Sequence, residues 1–292
     1  MRLCRHDDNC IGVVVGDEIA DVSAIAAELP GLRWPVPLGD LLIEHLDRLR
    51  PAIARLAKTG RRSPVAAAKL LSPVANPAKI IGVGQSYMGH IEEATKDAAM
   101  SHHRIGQDTD SIRFLIKANS ALVGPSEGVA LRFLDQRNDP ELEFAIIIGK
   151  HCTGTSKERA LDVVAGYAMG FDMTLRGPEP PSGRKSIDSY AVLGPWLVTR
   201  DEIANPNAVA FSLSVNGQTR QNANTSDLIY TVEHIVWQAA RRYTLYPGDI
   251  IMTGTPEGVA QVYPGDMMHA EAAGIGAYEV AIRAHEPAGG TA

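Results

Sequence analysis

Cysteines are scarce and long apolar runs are missing from this chain of 292 residues, which has only three cysteines and 5% aromatic residues. Cys4 and Cys10 flank His6 and Cys152 stands alone, so none of the usual zinc-ligand spacings occurs. No apolar run approaches the roughly 20 residues that span a bilayer, and the N-terminus is charged where a signal peptide needs an apolar stretch. These absences predict a soluble cytoplasmic protein with reduced thiols and no membrane partner.

Basic residues are fewer than acidic ones, with 28 Lys and Arg against 34 Asp and Glu, which gives a net charge of −6. This balance argues against nucleic acid as a partner. With 45% apolar residues, a chain of this length can bury about three-quarters of the surface that its unfolded form exposes. Domains usually have roughly 100–200 residues, so we expect one large domain, or one large and one small.

The beginning of the chain predicts two local elements. Residues 10–22 form two apolar stretches around the turn dipeptide Gly16-Asp17, which is typical of a β-hairpin. Residues 41–57 carry apolar side chains at helical spacing, with Pro51 placed where it should break or kink the helix.

The composition then changes along the chain. Residues 58–75 are basic and then contain several prolines and alanines, which is typical of a linker. We therefore predict a small N-terminal domain with its linker over residues 1–76 and a second, catalytic domain over residues 77–292.

Short strands separated by Gly, Pro and Asp turns dominate the second part. We predict strands at residues 79–83, 141–148, 166–172, 195–198 and 209–215, and one strong helix at residues 227–242. Because few helices accompany many strands, we expect a β-rich α+β fold with antiparallel or mixed sheets and not a doubly wound parallel sheet.

Two glutamates mark the strand at residues 141–148. Alternation places Glu141 and Glu143 on one face, about 6–7 Å apart, in an otherwise apolar strand. Burying like-charged carboxylates is costly. The pair therefore lies either at a solvated strand end or beside a cation, and a hard divalent cation with oxygen ligands would serve.

A third acidic residue, Asp172, ends an apolar, glycine-containing strand, with Arg176 four residues later. By itself Asp172 could simply cap a turn. Together with Glu141 and Glu143 it would complete an oxygen-only site, which suits Mg²⁺, Mn²⁺ or Ca²⁺ better than zinc.

The glycine-rich segment that follows the strand at residues 79–83 contains His90 and Glu93. It lacks the third glycine of a dinucleotide fingerprint, where Tyr87 stands instead. If the segment is helical, His90 and Glu93 share a face. They form either a plain surface contact or, beside a metal, a base whose imidazole the carboxylate orients.

Two further loops offer groups that could meet an anion. Residues 183–188 supply Lys185 but lack the glycine pattern of a phosphate-binding loop. Residues 253–259 form a Gly/Thr/Pro turn, which either cradles a carboxylate with its N–H groups and hydroxyls or is simply a tight turn.

In their order and spacing these stretches resemble the fumarylacetoacetate hydrolase family over residues 79–280. The matching motifs are G-x-x-Y-x-x-H-x-x-E at residues 84–93, E-x-E with Ile-Gly-Lys at 141–150, G-x-x-x-G-x-D-x-x-x-R at 166–176, K-S-x-D-x-x-x-x-L-G-P-W at 185–196, V-N-G at 215–217 and P-G-D-I-I-x-T-G-T-P-x-G-V at 247–259. The resemblance implies a mixed β-sheet roll as catalytic domain, preceded by a small N-terminal α/β domain, and a homodimer that acts on small oxo-acids.

The resemblance also implies roles for individual residues. Glu141, Glu143 and Asp172 would hold Mg²⁺ or Mn²⁺, with Ca²⁺ as a further candidate. His90 would activate water with Glu93 as its orienting partner, although Glu257 could take that place. The remaining implied roles are stabilisation of the oxyanion by Lys185 and binding of the substrate carboxylate by Tyr87, Arg176 and Thr255.

Our leading hypothesis is a metal-dependent hydrolase of a C–C bond in an acylpyruvate-like acid, within aromatic or related catabolism. The runner-up that the resemblance implies is a tautomerase, isomerase, decarboxylase or dehydratase that acts on such acids with the same metal site. A protein that binds acidic ligands without catalysis is the alternative from another class.

Overall fold

A computed structural model describes residues 1–97, 100 and 112–286 of the chain. In chain order, the strands within these residues are β1 (Arg2–His6), β2 (Cys10–Val15), β3 (Glu18–Asp21), β4 (Arg62–Pro64), β5 (Leu70–Leu71), β6 (Ile80–Gly84), β7 (Arg113–Lys117), β8 (Leu122–Val123), β9 (Val129–Leu131), β10 (Asn138–Asp139), β11 (Leu142–Ile148), β12 (Val164–Asp172), β13 (Thr174–Leu175), β14 (Ala191–Thr199), β15 (Ala210–Val215), β16 (Gln218–Asn224), β17 (Ile250–Met252), β18 (Met267–Ala272) and β19 (Gly276–Ala284). The α-helices are α1 (Leu41–Glu44), α2 (Leu46–Thr59), α3 (Met88–Lys96), α4 (Pro181–Lys185) and α5 (Val232–Arg242). None of the helices within the described ranges is long and apolar enough to cross a membrane.

One large mixed sheet organises the described chain. Its strands follow the order β4-β3-β2-β1-β14-β12-β11-β17-β6-β7, with β5 paired to β1 and β8 paired to β14. Most neighbours are antiparallel, whereas β17–β6 and β14–β8 are parallel. A second sheet has the order β16-β15-β18-β19-β9, and β10 pairs with β13. The predicted β-rich α+β fold with mixed sheets is confirmed.

The strand β11 lies in the middle of the large sheet, between β12 and β17. All seven of its residues are buried. Phe144 and Ile146 pack into one apolar cluster, and Ala145 and Ile147 pack into another on the opposite face. Because both faces are covered, a polar side chain on this strand must find its partners inside the protein.

Two predictions for the first 76 residues are wrong in detail. The helix predicted at residues 41–57 is interrupted at His45, and Pro51 lies inside α2. Asp40 caps the first piece by accepting from the N–H groups of Leu42 and Ile43, so a short separate turn forms there. The predicted linker at residues 58–75 contains β4 and β5, which pair with β3 and β1.

The predicted hairpin at residues 10–22 is present as β2 and β3. The helix predicted from residue 227 begins instead at Val232. The hydroxyl of Thr231 accepts from the N–H of His234, which fixes the later start, and residues Thr225–Asp227 form a separate 3-10 turn.

The N-terminal strands continue the large sheet and do not form a sheet of their own. The strand β1 pairs with β14, with Arg2 opposite Val198 and Leu3 opposite Leu197. The division into domains near residue 76 stays a prediction, while the hydrogen-bonded sheet runs across it.

Candidate metal centre and active site

Three carboxylates converge where β11 begins and β12 ends. Glu141 directly precedes β11, Glu143 is its second residue, and Asp172 is the last residue of β12. Antiparallel pairing brings them together, because the N–H of Asp172 donates to the carbonyl of Glu141 at 2.9 Å. Carboxylate oxygens from the three residues lie within 4.8 Å of one another. Glu141, Glu143 and Asp172 are only 4%, 2% and 2% exposed, so the alternative of a pair at a solvated strand end is excluded.

Two lysines contact this cluster of carboxylates. Nζ of Lys185 donates to Oε2 of Glu141 and to Oδ2 of Asp172, both at 2.6 Å. Nζ of Lys117 donates to Oδ1 of Asp172 and, at 3.0 Å, to the carbonyl of Tyr190. Lys117 lies 55 positions from Asp172 along the chain, so no local sequence pattern points to this contact.

The electrostatic environment differs between the two glutamates. Burial raises the pKa of Glu141, but the charges of Lys185 and Arg176 outweigh it and hold that pKa below its usual value. For Glu143, burial and then the charge of Asp172 raise the pKa well above the usual value. The direct partner of Glu143 is the N–H of Gly254, at 2.6 Å from Oε2.

This donor set fits a hard divalent cation. Its three ligand groups are carboxylates, and oxygen ligands are what Mg²⁺, Mn²⁺ and Ca²⁺ prefer. Lysines contact Glu141 and Asp172, whereas no cationic side chain contacts Glu143 among the described residues, and burial raises the pKa of Glu143. A cation between the three side chains would supply the positive charge that Glu143 lacks.

Arg176 connects the carboxylate cluster to a second layer of charges. Its Nη2 donates to Oε1 of Glu141 and its Nε to Oδ2 of Asp139, both at 2.7 Å. Oδ1 of Asp139 accepts from Nε of Arg137 at 2.8 Å. Arg176 therefore positions Glu141, a contact that the sequence analysis did not anticipate; its expected contact with a substrate carboxylate stays a prediction.

His90 lies in α3 and faces the same cavity as the carboxylates. Its Nδ1 is 3.3 Å from Oε2 of Glu93. Oε1 of Glu93 accepts from the N–H of Gly258 at 3.1 Å, which anchors the carboxylate. Burial raises the pKa of Glu93, but its hydrogen bonds to His90 and Gly258 outweigh this and lower it overall. Glu257 is exposed and packs closely against Gly89 of α3. A Cβ atom at Gly89 would lie only 2.2 Å from Oε2 of Glu257.

Thr255 and Tyr87 have different positions relative to the cavity. The hydroxyl of Thr255 lines it, accepts from Nε2 of Gln221 at 2.8 Å and donates to the carbonyl of Leu142 at 3.1 Å. Tyr87 is buried outside the lining, edge-on to Phe211, and its hydroxyl has no hydrogen-bond partner in the described parts of the chain.

The cavity has a volume of about 630 Å³. Seven of the ten predicted site residues line it, namely His90, Glu141, Glu143, Asp172, Arg176, Lys185 and Thr255. The other three do not line the cavity. Glu93 contacts the His90 ring from outside the lining, and Tyr87 and Glu257 are also outside it. The cavity thus combines three carboxylates, an imidazole and an ammonium group.

Comparisons with known proteins relate the chain to one enzyme family. The family model described as fumarylacetoacetate (FAA) hydrolase C-terminal matches residues 79–283. The chain is 51% identical over 286 residues to maleylpyruvate hydrolase of Aquipseudomonas alcaligenes, covering 97% of this chain and 99% of that protein.

Two solved structures cover nearly the whole chain. The crystal structure of maleylpyruvate hydrolase from Sphingobium sp. SYK-6 in complex with manganese(II) ion and pyruvate has a TM-score of 0.82 at 35% identity, covering 98% of this chain and 100% of that one. That of 5-carboxymethyl-2-hydroxymuconate delta-isomerase from Mycobacterium smegmatis has a TM-score of 0.73 at 27% identity, with the same coverage.

Proposed function

The chain belongs to the fumarylacetoacetate hydrolase family, and from this premise we propose that it hydrolyses a carbon–carbon bond of an acylpyruvate, with maleylpyruvate as the first candidate substrate. The similarity to two maleylpyruvate hydrolases supports this substrate. The observation that carries the proposal is the convergence of three buried carboxylates in the cavity that also contains His90 and Lys185.

Glu141, Glu143 and Asp172 are the proposed ligands of Mg²⁺ or Mn²⁺, with Ca²⁺ as a further candidate of the same oxygen chemistry. When bound, the cation supplies Lewis-acid stabilisation of negative charge on the substrate oxygens. Arg176 and Lys185 keep the Glu141 carboxylate ionised, so that it can act as a ligand. The manganese ion of the Sphingobium enzyme supports this assignment.

The reaction needs one water molecule and one base. The water oxygen adds to the acyl carbonyl carbon, and the bond from that carbon to the pyruvate methylene then breaks. The electron pair leaves with the pyruvate enolate, which takes up a proton to become pyruvate, while the acyl group leaves as a carboxylate. We assign His90 to accept the proton of the attacking water, with Glu93 orienting the ring.

Lys185 supports the charge that develops during this step. Two of its three ammonium protons bind Glu141 and Asp172, which leaves one donor for a substrate oxygen. Thr255 is the proposed hydroxyl contact for the substrate in the same cavity.

An isomerase is the second candidate, because the Mycobacterium smegmatis isomerase covers the chain equally well. The two activities differ in product mass. We expect metal-depleted protein supplied with Mn²⁺ or Mg²⁺ to convert maleylpyruvate into maleate and pyruvate, identified by mass spectrometry, with a chelator-treated sample as control. A product of unchanged mass would instead establish the isomerase, and recovery of unreacted substrate under all conditions would overturn the proposal.

We also propose that the protein is a cytoplasmic homodimer. Support for a dimer comes from the family and from Trp34, which is 93% exposed in an apolar segment that a second copy could cover. The free thiols of Cys4, Cys10 and Cys152 support a reducing compartment. Light scattering on the purified protein measures the mass, and a monomer mass would contradict the dimer.

A further inference from the structure

Cationic side chains outnumber carboxylates in the described part of the active-site cavity lining. Five cationic side chains, from Arg113, Arg176, Arg184, Lys185 and Arg242, lie there with three carboxylates. Arg176 and Lys185 contact those carboxylates, whereas Arg242 contacts other groups. A cationic side chain in the cavity but away from the proposed metal favours a substrate with a second negative charge.

Two contacts fix Arg242 in the cavity lining. It is the last residue of α5, and its Nη1 donates to the carbonyl of Ile112 at 2.7 Å. Its guanidinium lies 5.1 Å from the centre of the Phe114 ring. These contacts hold the group in place while using one of its five N–H donors, and no carboxylate contacts it within the described ranges.

Arg242 contacts the end of β7 that is far from the carboxylate cluster. Its partners Ile112 and Phe114 lie at the start of β7, whereas Lys117, which contacts Asp172, ends the strand. The extended chain from Phe114 to Lys117 spans roughly 10 Å. Arg242 thus marks the end of the cavity that is remote from the proposed metal.

We propose that Arg242 binds a second carboxylate at the acyl end of the substrate, so that the enzyme selects acylpyruvates with two carboxylates. This inference rests on the proposed function, in which the pyruvate end lies at the metal site. A guanidinium presents parallel N–H groups that match a carboxylate, and the ring of Phe114 presents Arg242 for this contact.

The test compares two substrates in the metal-loaded enzyme. Maleylpyruvate carries the distal carboxylate, and acetylpyruvate keeps the reacting carbonyls but ends in a methyl group. For Arg242→Gln we expect kcat/KM for maleylpyruvate to fall by roughly 10- to 100-fold, mostly through KM, because a charged hydrogen bond is lost. The kcat/KM for acetylpyruvate should stay close to that of the unmodified enzyme.

Arg241→Gln is the matched control. Arg241 is next in the same helix but lies over Trp237, at 5.0 Å, and outside the cavity lining. We expect this variant to handle both substrates as the unmodified enzyme does. Arg242→Lys, which keeps the charge but not the paired donors, should lie between the unmodified enzyme and Arg242→Gln.

The outcomes separate this inference from the proposed function. Equal losses for both substrates, or an unchanged kcat/KM for maleylpyruvate, would overturn the role of Arg242 while leaving the hydrolase intact. If the unmodified enzyme cleaves neither substrate, the proposed function itself fails. Should Arg242→Gln not fold, the ratio of kcat/KM for the two substrates in Arg242→Lys decides the question.

Discussion

Nζ of Lys185 lies 2.6 Å from Oε2 of Glu141, although both side chains are buried. The same ammonium group lies 2.6 Å from Oδ2 of Asp172 and so bridges two of the three proposed ligands. Removing one partner of a buried ion pair leaves an uncompensated charge, which is strongly destabilising. Lys185 therefore stabilises the carboxylate cluster as well as serving the proposed chemistry.

We expect Lys185→Met to lower the free energy of unfolding of the metal-free protein by about 3–5 kcal/mol. Added Mn²⁺ should restore part of this loss, because the cation supplies the missing positive charge. Urea unfolding with chelator and with Mn²⁺ measures both effects, and Lys150→Met, at an exposed position, is the control. Equal destabilisation with and without Mn²⁺ would contradict this account.

Glu143→Gln tests the metal site directly. The amide keeps the shape and can still accept from the N–H of Gly254, but it removes one charged ligand. We expect Mn²⁺ affinity to fall by at least about 100-fold, since losing even an outer-shell partner costs 10–100-fold. Calorimetric titration measures the affinity, and Glu271→Gln at an exposed position should bind Mn²⁺ as the unmodified protein does. Unaltered binding would remove Glu143 from the ligand set.

His90→Ala separates the base from the metal site. Because His90 is not one of the clustered carboxylates, Mn²⁺ binding should be unchanged. We expect kcat to fall by roughly 10²–10⁴-fold, the usual contribution of a positioned base. Steady-state assays and calorimetry on the same preparation measure the two quantities, with His269→Ala as control at a partly exposed site. Turnover that survives the substitution would show that another group activates water.

Replacement of Glu93 and Glu257 decides which carboxylate orients His90. The contact of 3.3 Å between Glu93 and Nδ1 of His90 favours Glu93. We expect Glu93→Gln to lower kcat by about 10- to 100-fold and Glu93→Asp to retain more activity. Glu257→Gln should have the smaller effect, and the reverse order of the two glutamine variants would assign the role to Glu257.

The three thiols should differ sharply in reactivity. Burial raises the pKa of Cys4 to about 12, so at pH 8 only roughly one Cys4 thiol in 10⁴ is ionised and able to react. Cys10 is partly exposed, whereas Cys4 and Cys152 are buried. We expect a thiol reagent to label Cys10 in the folded protein and all three cysteines after unfolding, as peptide mass spectrometry would show. Labelling of Cys4 before Cys10 would contradict the structure.

The carboxylate cluster was predictable because its signals are local. Alternation along one strand placed Glu141 and Glu143 on the same side, and an acidic residue at the end of a second apolar strand pointed to Asp172. The sequence did not show that these two strands are neighbours. In the structure they pair directly, as β11 and β12.

The partners of the cluster were not predictable from such patterns. Lys117, Asp139 and Arg137 meet the site through strand pairings and loops whose register is set by the whole fold. The short strands β4 and β5 were missed for a related reason. Two or three residues are too few to show a period, and these strands exist because distant partners in β3 and β1 supply their hydrogen bonds.

The pairing of β1 with β14 has a consequence for any shortened form of the protein. If the chain were started at residue 77, the side of β14 that β1 now covers would present unpaired N–H and C=O groups in a strand of nine residues. Bare strand edges of this kind recruit other chains. The first 76 residues thus cover an edge of the sheet that contains Glu143 and Asp172, and we expect a truncated protein to self-associate even though it keeps every proposed catalytic residue.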